Sequence, residues 1–160
     1  MPTNPQTLWP GVFQETRRLL YSLGTVAGTY STKSIIVPKF ATVIDVIVHC
    51  VAVWNAGTSA TGIVGDATDD DGYYTGIDMA ATDLTAGQSL SFAKTGGKEG
   101  AYCVGTATHW TTRYLTAQRD IKLKVTTVGT VPTTGETTLT VIYAWNPPSR
   151  AIAGGTFVAT

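Results

Sequence analysis

From Asp120 to Val128 the chain reads DIKLKVTTV, with Ile121, Leu123 and Val125 alternating against Lys122, Lys124 and Thr126. A period of two puts one set on a buried face and the other in solvent, so the stretch predicts a strand of an antiparallel sheet. Thr137 to Trp145, TTLTVIYAW, alternates in the same way, with Leu139, Val141 and Tyr143 on one face and Thr138, Thr140 and Ile142 on the other. Asn146-Pro147-Pro148 stops it. Between Thr42 and Trp54 the residues Val43, Ile44, Val46, Ile47, Val48, Val51 and Val53 make a β-branched run that predicts a strand packed on both faces. Asn55-Ala56-Gly57-Thr58 carries turn chemistry, and Ala60 to Val64 is expected to return beside the first strand as a hairpin.

Weaker alternations predict further strands at Tyr30 to Val37, ended by Pro38-Lys39, and at Gln88 to Ala93, with Leu90 and Phe92 inward. Tyr73-Tyr74 opens a short element, and Thr95 to Gly100 is a loop. Ala101 to Val104 and His109 to Leu115 are short apolar runs of unassigned pairing. About eight strands separated by turn signals imply an all-β fold, an antiparallel β-sandwich of jelly-roll-like form. Val46, Val48, Leu123, Val125, Val141 and Tyr143 are expected in its core.

The first thirty residues break this pattern. Pro2, Pro5 and Pro10 interrupt regular structure, and Glu15 to Leu23 suits either two turns of helix or an extended strand. The chain therefore divides into an extended N-terminal arm (1–29), a sandwich domain (30–146) and a short C-terminal tail (147–160). Trp9, Val12, Phe13, Leu19, Leu20 and Tyr21 in the arm, with Ile152, Phe157 and Val158 in the tail, are apolar groups without a core of their own. They are the expected interface residues, burying against a second copy or another partner.

Composition narrows the function. Lys+Arg and Asp+Glu number 11 each among 160 residues, so no basic stripe marks a nucleic-acid or anionic-membrane surface. The N-terminal stretch has neither the basic nor the apolar region of a secretory signal, and no run of about 18 apolar residues is present to span a bilayer. The expectation is synthesis in a reducing cytoplasm, where Cys50 and Cys103 stay as thiols rather than bridge.

Candidate chemistry is sparse. Asp66, Asp69, Asp70 and Asp71 have ligand-like density, yet Ala67 interrupts the alternation an EF-hand loop needs and no Glu closes it. The cluster is expected to cap a strand end, with no metal and no cofactor. His49 lies inside the central strand, and His109 beside Trp110 and Arg113 suits surface recognition. No nucleophile elbow, Cys-x-x-Cys pair or phosphate-cradling loop occurs, so no catalytic residue is assigned and the chain is expected not to be an enzyme. Tyr73, Tyr74, Tyr102, Trp110 and Tyr114 could line a sugar platform or, as expected, belong to core and subunit interface.

The succession IIVPKFATVIDVIV, VGDATDDDGYY, HWTTRYLTAQRDIKLKVTT and TTLTVIYAW, over Ser34 to Trp145, resembles small tailed-bacteriophage virion proteins. Val64 to Gly72 followed by an aromatic, and Tyr114 ahead of Asp120-Ile121, carry it most specifically. Such proteins are often capsid decoration or other head-associated components. The resemblance implies a non-enzymatic decoration protein on the phage head surface that binds the major capsid protein lattice. The expected assembly is a homo-oligomer, a trimer by preference. A receptor- or glycan-binding fibre knob and a tail or neck component are the alternatives.

Overall fold

The computed structural model of the chain describes residues 11–24, 27–80, 82–103 and 113–145. In chain order its strands are β1 (Gly11–Leu20), β2 (Thr29–Ser31), β3 (Ile35–Val37), β4 (Ala41–Ala52), β5 (Ser59–Gly65), β6 (Tyr74–Asp78), β7 (Ser89–Leu90), β8 (Arg119–Val128) and β9 (Glu136–Trp145). One sheet has the order β1-β9-β4-β7 and the other β2-β8-β5-β6, with β3 also paired to β8. Every pairing between these strands is antiparallel. With β2 and β3 read as one interrupted strand, this is the order of an eight-stranded, jelly-roll-like sandwich.

The core lies between the two sheets. From the first come Val43, Val46, Val48, Leu139 and Val141, and from the second Val64, Ile121, Leu123 and Val125, all buried. Tyr143 closes the same layer at 7% exposure, so all six residues expected in the core lie there. Each large aliphatic side chain buried in this way is worth about 1.5–3 kcal/mol relative to exposure, before ordering costs.

Several sequence expectations are corrected. The β4 run does not pack on both faces: burial alternates along it, and Ile44 and Val51 stay open to solvent. β-branched composition reports a pleated surface, not two-sided burial. Nor do β4 and β5 form a hairpin, because β5 pairs with β6 and β8 in the opposite sheet. Asn55 serves the crossing instead, its Oδ1 accepting from the Thr133 and Thr134 amides at 2.8 and 2.9 Å. The Tyr30–Val37 strand is split, since Thr32 turns its side chain inward and accepts the Leu123 amide at 3.1 Å. Of the Gln88–Ala93 strand only Ser89–Leu90 is regular, because Phe92 donates its amide to Asp45 Oδ1 at 2.8 Å.

Glu15 to Leu23 resolves as the end of β1 followed by a single 3-10 turn, Tyr21–Leu23. All ten residues of β1 pair with β9 without a bulge, from Gly11↔Trp145 to Leu20↔Glu136.

Candidate functional site

A groove of about 560 Å³ opens where β1 begins and β9 ends, lined by Val12, Phe40, Thr42, Tyr114 and Trp145 among others. The register Gly11↔Trp145↔Ala41 brings three strand ends together there. Tyr114 adds a fourth partner through its bridge to Thr42.

The turn Pro38-Lys39-Phe40 shapes one wall. Ala41 N–H donates to Pro38 O at 3.2 Å, and Phe40 stands at φ +70°, the one positive φ among described residues other than glycine. For a bulky side chain that conformation costs on the order of 1–3 kcal/mol and persists only where neighbours hold it. The neighbours are identifiable. Phe40 N–H donates to Leu115 O at 2.7 Å, the Lys39 ammonium lies 4.6 Å from the Phe40 ring centroid, and Trp145 Nε1 donates to Lys39 O at 3.0 Å. Phe13 stacks on Tyr143 with centroids 5.6 Å apart and meets Trp145 edge-on at 6.1 Å, so aromatic packing continues from the core to the rim.

The described lining of the groove is mostly apolar and aromatic. Tyr114 carries the one ionisable side chain among its described lining residues. Val12 is 66% and Tyr114 44% exposed, which leaves apolar and aromatic area for a partner.

The expected interface residues scatter. Val12 and Phe13 lie at the groove end of β1, Leu20 and Tyr21 at the far end, and Leu19 is fully buried in the core. Leu19 is spent inside the chain because it faces the sandwich interior, opposite Thr137. Trp9, Ile152, Phe157 and Val158 lie outside the described residues, as do His109 and Trp110.

The acidic loop joins β5 to β6. Asp66 is nearly buried, and its Oδ1 accepts from the Thr68 and Asp69 amides at 2.8 and 3.1 Å and from the Tyr102 hydroxyl at 3.3 Å. Its Oδ2 stands 3.3 Å from Arg119 Nε, whose guanidinium lies 4.4 Å above the Tyr102 ring. Asp70 pairs with Lys124 at 2.9 Å. Carboxylate oxygens of Asp69, Asp70 and Asp71 fall within 4.8 Å of one another. Partial burial and the neighbouring Asp71 raise the Asp69 carboxyl above its ordinary range, while hydrogen bonds from Thr75 and then Asp69 lower Asp71. Gly65 opens the loop because a Cβ there would meet Asp69 O at 2.1 Å.

The aromatic set does not assemble as a platform. Tyr73 and Tyr74 are fully buried, Tyr74 donating to Val46 O at 2.8 Å, and Tyr102 meets Tyr73 edge-on at 5.1 Å. Tyr114 alone of the described members is exposed. His49 Nδ1 lies 2.8 Å from Ser89 Oγ on the half-covered face of β4. Cys50 and Cys103 are free thiols, and burial pushes Cys103 up to about 11. The strained Phe40 escapes sequence reasoning, since Pro38 marks a turn but nothing marks a phenylalanine for positive φ.

No family model matches the chain, and no curated protein matches it. Among solved structures it is similar to a chain of the cyanophage Pam1 capsid asymmetric unit, at TM-score 0.56 and 14% identity over 91% of this chain and 93% of that one. It also aligns with a chain from the acid-stable capsid of Helicobacter pylori bacteriophage KHP30, at TM-score 0.49 and 14% identity, covering 83% and 86%. A third, from the capsid of Ralstonia phage GP4, gives 0.48 and 13%, covering 92% and 91%. At such identities the likeness is one of fold, and the Pam1 chain shares that fold along nearly its whole length.

Proposed function

We propose that this chain is a structural protein of a tailed-phage virion, a decoration protein that attaches to the assembled head and reinforces it. The observation that carries the reading is the near full-length fold likeness to a chain of the Pam1 capsid asymmetric unit. The groove supports it. An apolar, aromatic surface with a strained wall suits a fixed contact with a protein lattice, and Gly11 of β1 and Trp145 of β9 line it. Anything that binds the assembled lattice and not its dissociated subunits stabilises the shell by mass action. Gly11–Leu20 of the expected 1–29 arm is strand β1 of the sandwich, so the arm is not separate from it, and the contact role of Trp9, Ile152, Phe157 and Val158 belongs to this proposal.

The test is the position and copy number of the chain in intact particles. A copy number that scales with the capsid lattice supports decoration, and a few copies confined to one vertex would assign it to the tail or neck. The groove is tested with Tyr114→Ala, expected to remain folded and to lose particle occupancy. Full occupancy by that variant would move the contact elsewhere.

A further inference from the structure

Three of the four sheet edges are poor templates for pairing. β7 has two residues, β6 is joined to β5 through a register shift, and the β2–β3 edge is two three-residue pieces. Natural sheets blunt edges with just such short, bulged or broken strands. β1 is different. It is ten residues long, free of proline and bulge, and among the described residues β9 is its sole strand partner.

The backbone polarity of that edge follows from one bond. Tyr21 N–H donates to Gly135 O at 2.9 Å, one step beyond the register of β1 with β9. Odd-numbered residues of β1 therefore turn their amides toward β9, and Val12, Gln14, Thr16, Arg18 and Leu20 turn theirs outward.

We propose that β1 is the site of two-fold self-association, pairing antiparallel with β1 of a second copy about Thr16 to join two four-stranded sheets into one. In this register Thr16 faces the second copy's Thr16, Gln14 faces Arg18, and Val12 faces Leu20, all residues with outward amides. On the inner face Glu15 meets the second copy's Arg17, and Phe13 stands opposite the second copy's Leu19, whose side chain is already buried in its own core. The sequence VFQETRRLL is thus self-complementary in charge and apolarity about its centre. Centring one residue earlier would set Glu15 against Glu15, and one later Arg17 against Arg17. Within one chain Glu15 and Arg17 already lie 2.9 Å apart, so each pair is aligned to extend across the axis. The proposal replaces the expected trimer with a two-fold dimer.

Sedimentation of the full chain, free of particles, is expected to give about twice the 16.9 kDa chain mass. A persistent monomer or a trimer overturns the proposal. Glu15→Arg and Arg17→Glu are each expected to weaken association about tenfold while preserving the circular dichroism spectrum, and the double swap to restore it. Unchanged association in both single variants, or a double swap that fails to restore it, overturns the pairing. Register is read by cross-linking under mild oxidation. Thr16→Cys places two thiols on residues about 5.5 Å apart at Cα and links, whereas Gln14→Cys separates them by about 13 Å and does not. The reverse outcome overturns the Thr16 axis. Because no particle takes part, failure here leaves the proposed virion role untouched.

Discussion

At the scale of single residues, Asp66 shows how a group that looks like a ligand becomes a fastening. One oxygen caps two amides of its own loop and the other faces Arg119, tying the β5–β6 connection to the start of β8. With 3% of its side chain exposed, the carboxylate depends on these partners in place of bulk water. Asp66→Ala is therefore expected to cost about 3 kcal/mol, since it leaves the Arg119 charge half-buried without its counterion. Asp66→Asn keeps an oxygen for the amides and should cost less. Urea midpoints at unchanged slope measure both, and an alanine variant within about 0.5 kcal/mol of wild type would show that the fastening is idle. The sequence displays the capping half of this role, because Asp followed by polar residues and Gly is turn chemistry. It hides the Arg119 half, because pairing between strands far apart in sequence has no local signature. Phe40 is hidden more deeply, because its φ is imposed by Leu115 and Trp145 from other segments.

At the scale of elements, alternation was legible wherever one sheet face is solvated. β8 and β9 fall within one residue of the expected stretches because Lys and Thr mark their outer faces. β4 misled on its environment, since its half-covered outer face carries Ile47 and Ile44 in place of charges. The β4–β5 connection misled on pairing. Turn residues fix where a chain bends, while the choice between a hairpin and a crossing to the other sheet rests on Trp54. That ring is fully buried, donates to Thr137 Oγ1 at 3.0 Å and meets Tyr30 edge-on at 5.1 Å. The β5–β6 loop yields a prediction at this scale. Asp66 is committed to Arg119 and Asp70 to Lys124, so the loop lacks the six to eight oxygens that Ca²⁺ takes. Melting temperature is expected to stay constant on adding Ca²⁺ or a chelator. A Ca²⁺-dependent rise abolished by Asp69→Asn with Asp71→Asn would establish a cation site instead.

At the scale of the whole molecule, the weakly acidic groups of the interior decide how the fold responds to base. Tyr73 and Tyr74 are held well above the ordinary phenol range, and Cys50 and Cys103 above the ordinary thiol range, in each case chiefly by burial. Folding keeps these groups protonated where the unfolded chain would ionise them. For a group raised in the folded state, the stability it contributes is complete below the unfolded pKa and is lost as pH rises toward the folded one. The first loss begins near the unfolded thiol value of about 8.5 and the phenols add theirs above about 10, while Cys103 holds its proton to about 11. Over that interval the native chain binds more protons than the unfolded one, so the urea midpoint is expected to fall as pH rises from about 8.5 to about 11. A flat or rising midpoint would mean that these side chains meet water in the native state. Two-fold pairing along β1 engages none of Tyr73, Tyr74, Cys50 and Cys103, which lie on other segments. Dimer dissociation measured below the unfolding transition should therefore be flat across the same pH range, separating the sandwich interior from its edge.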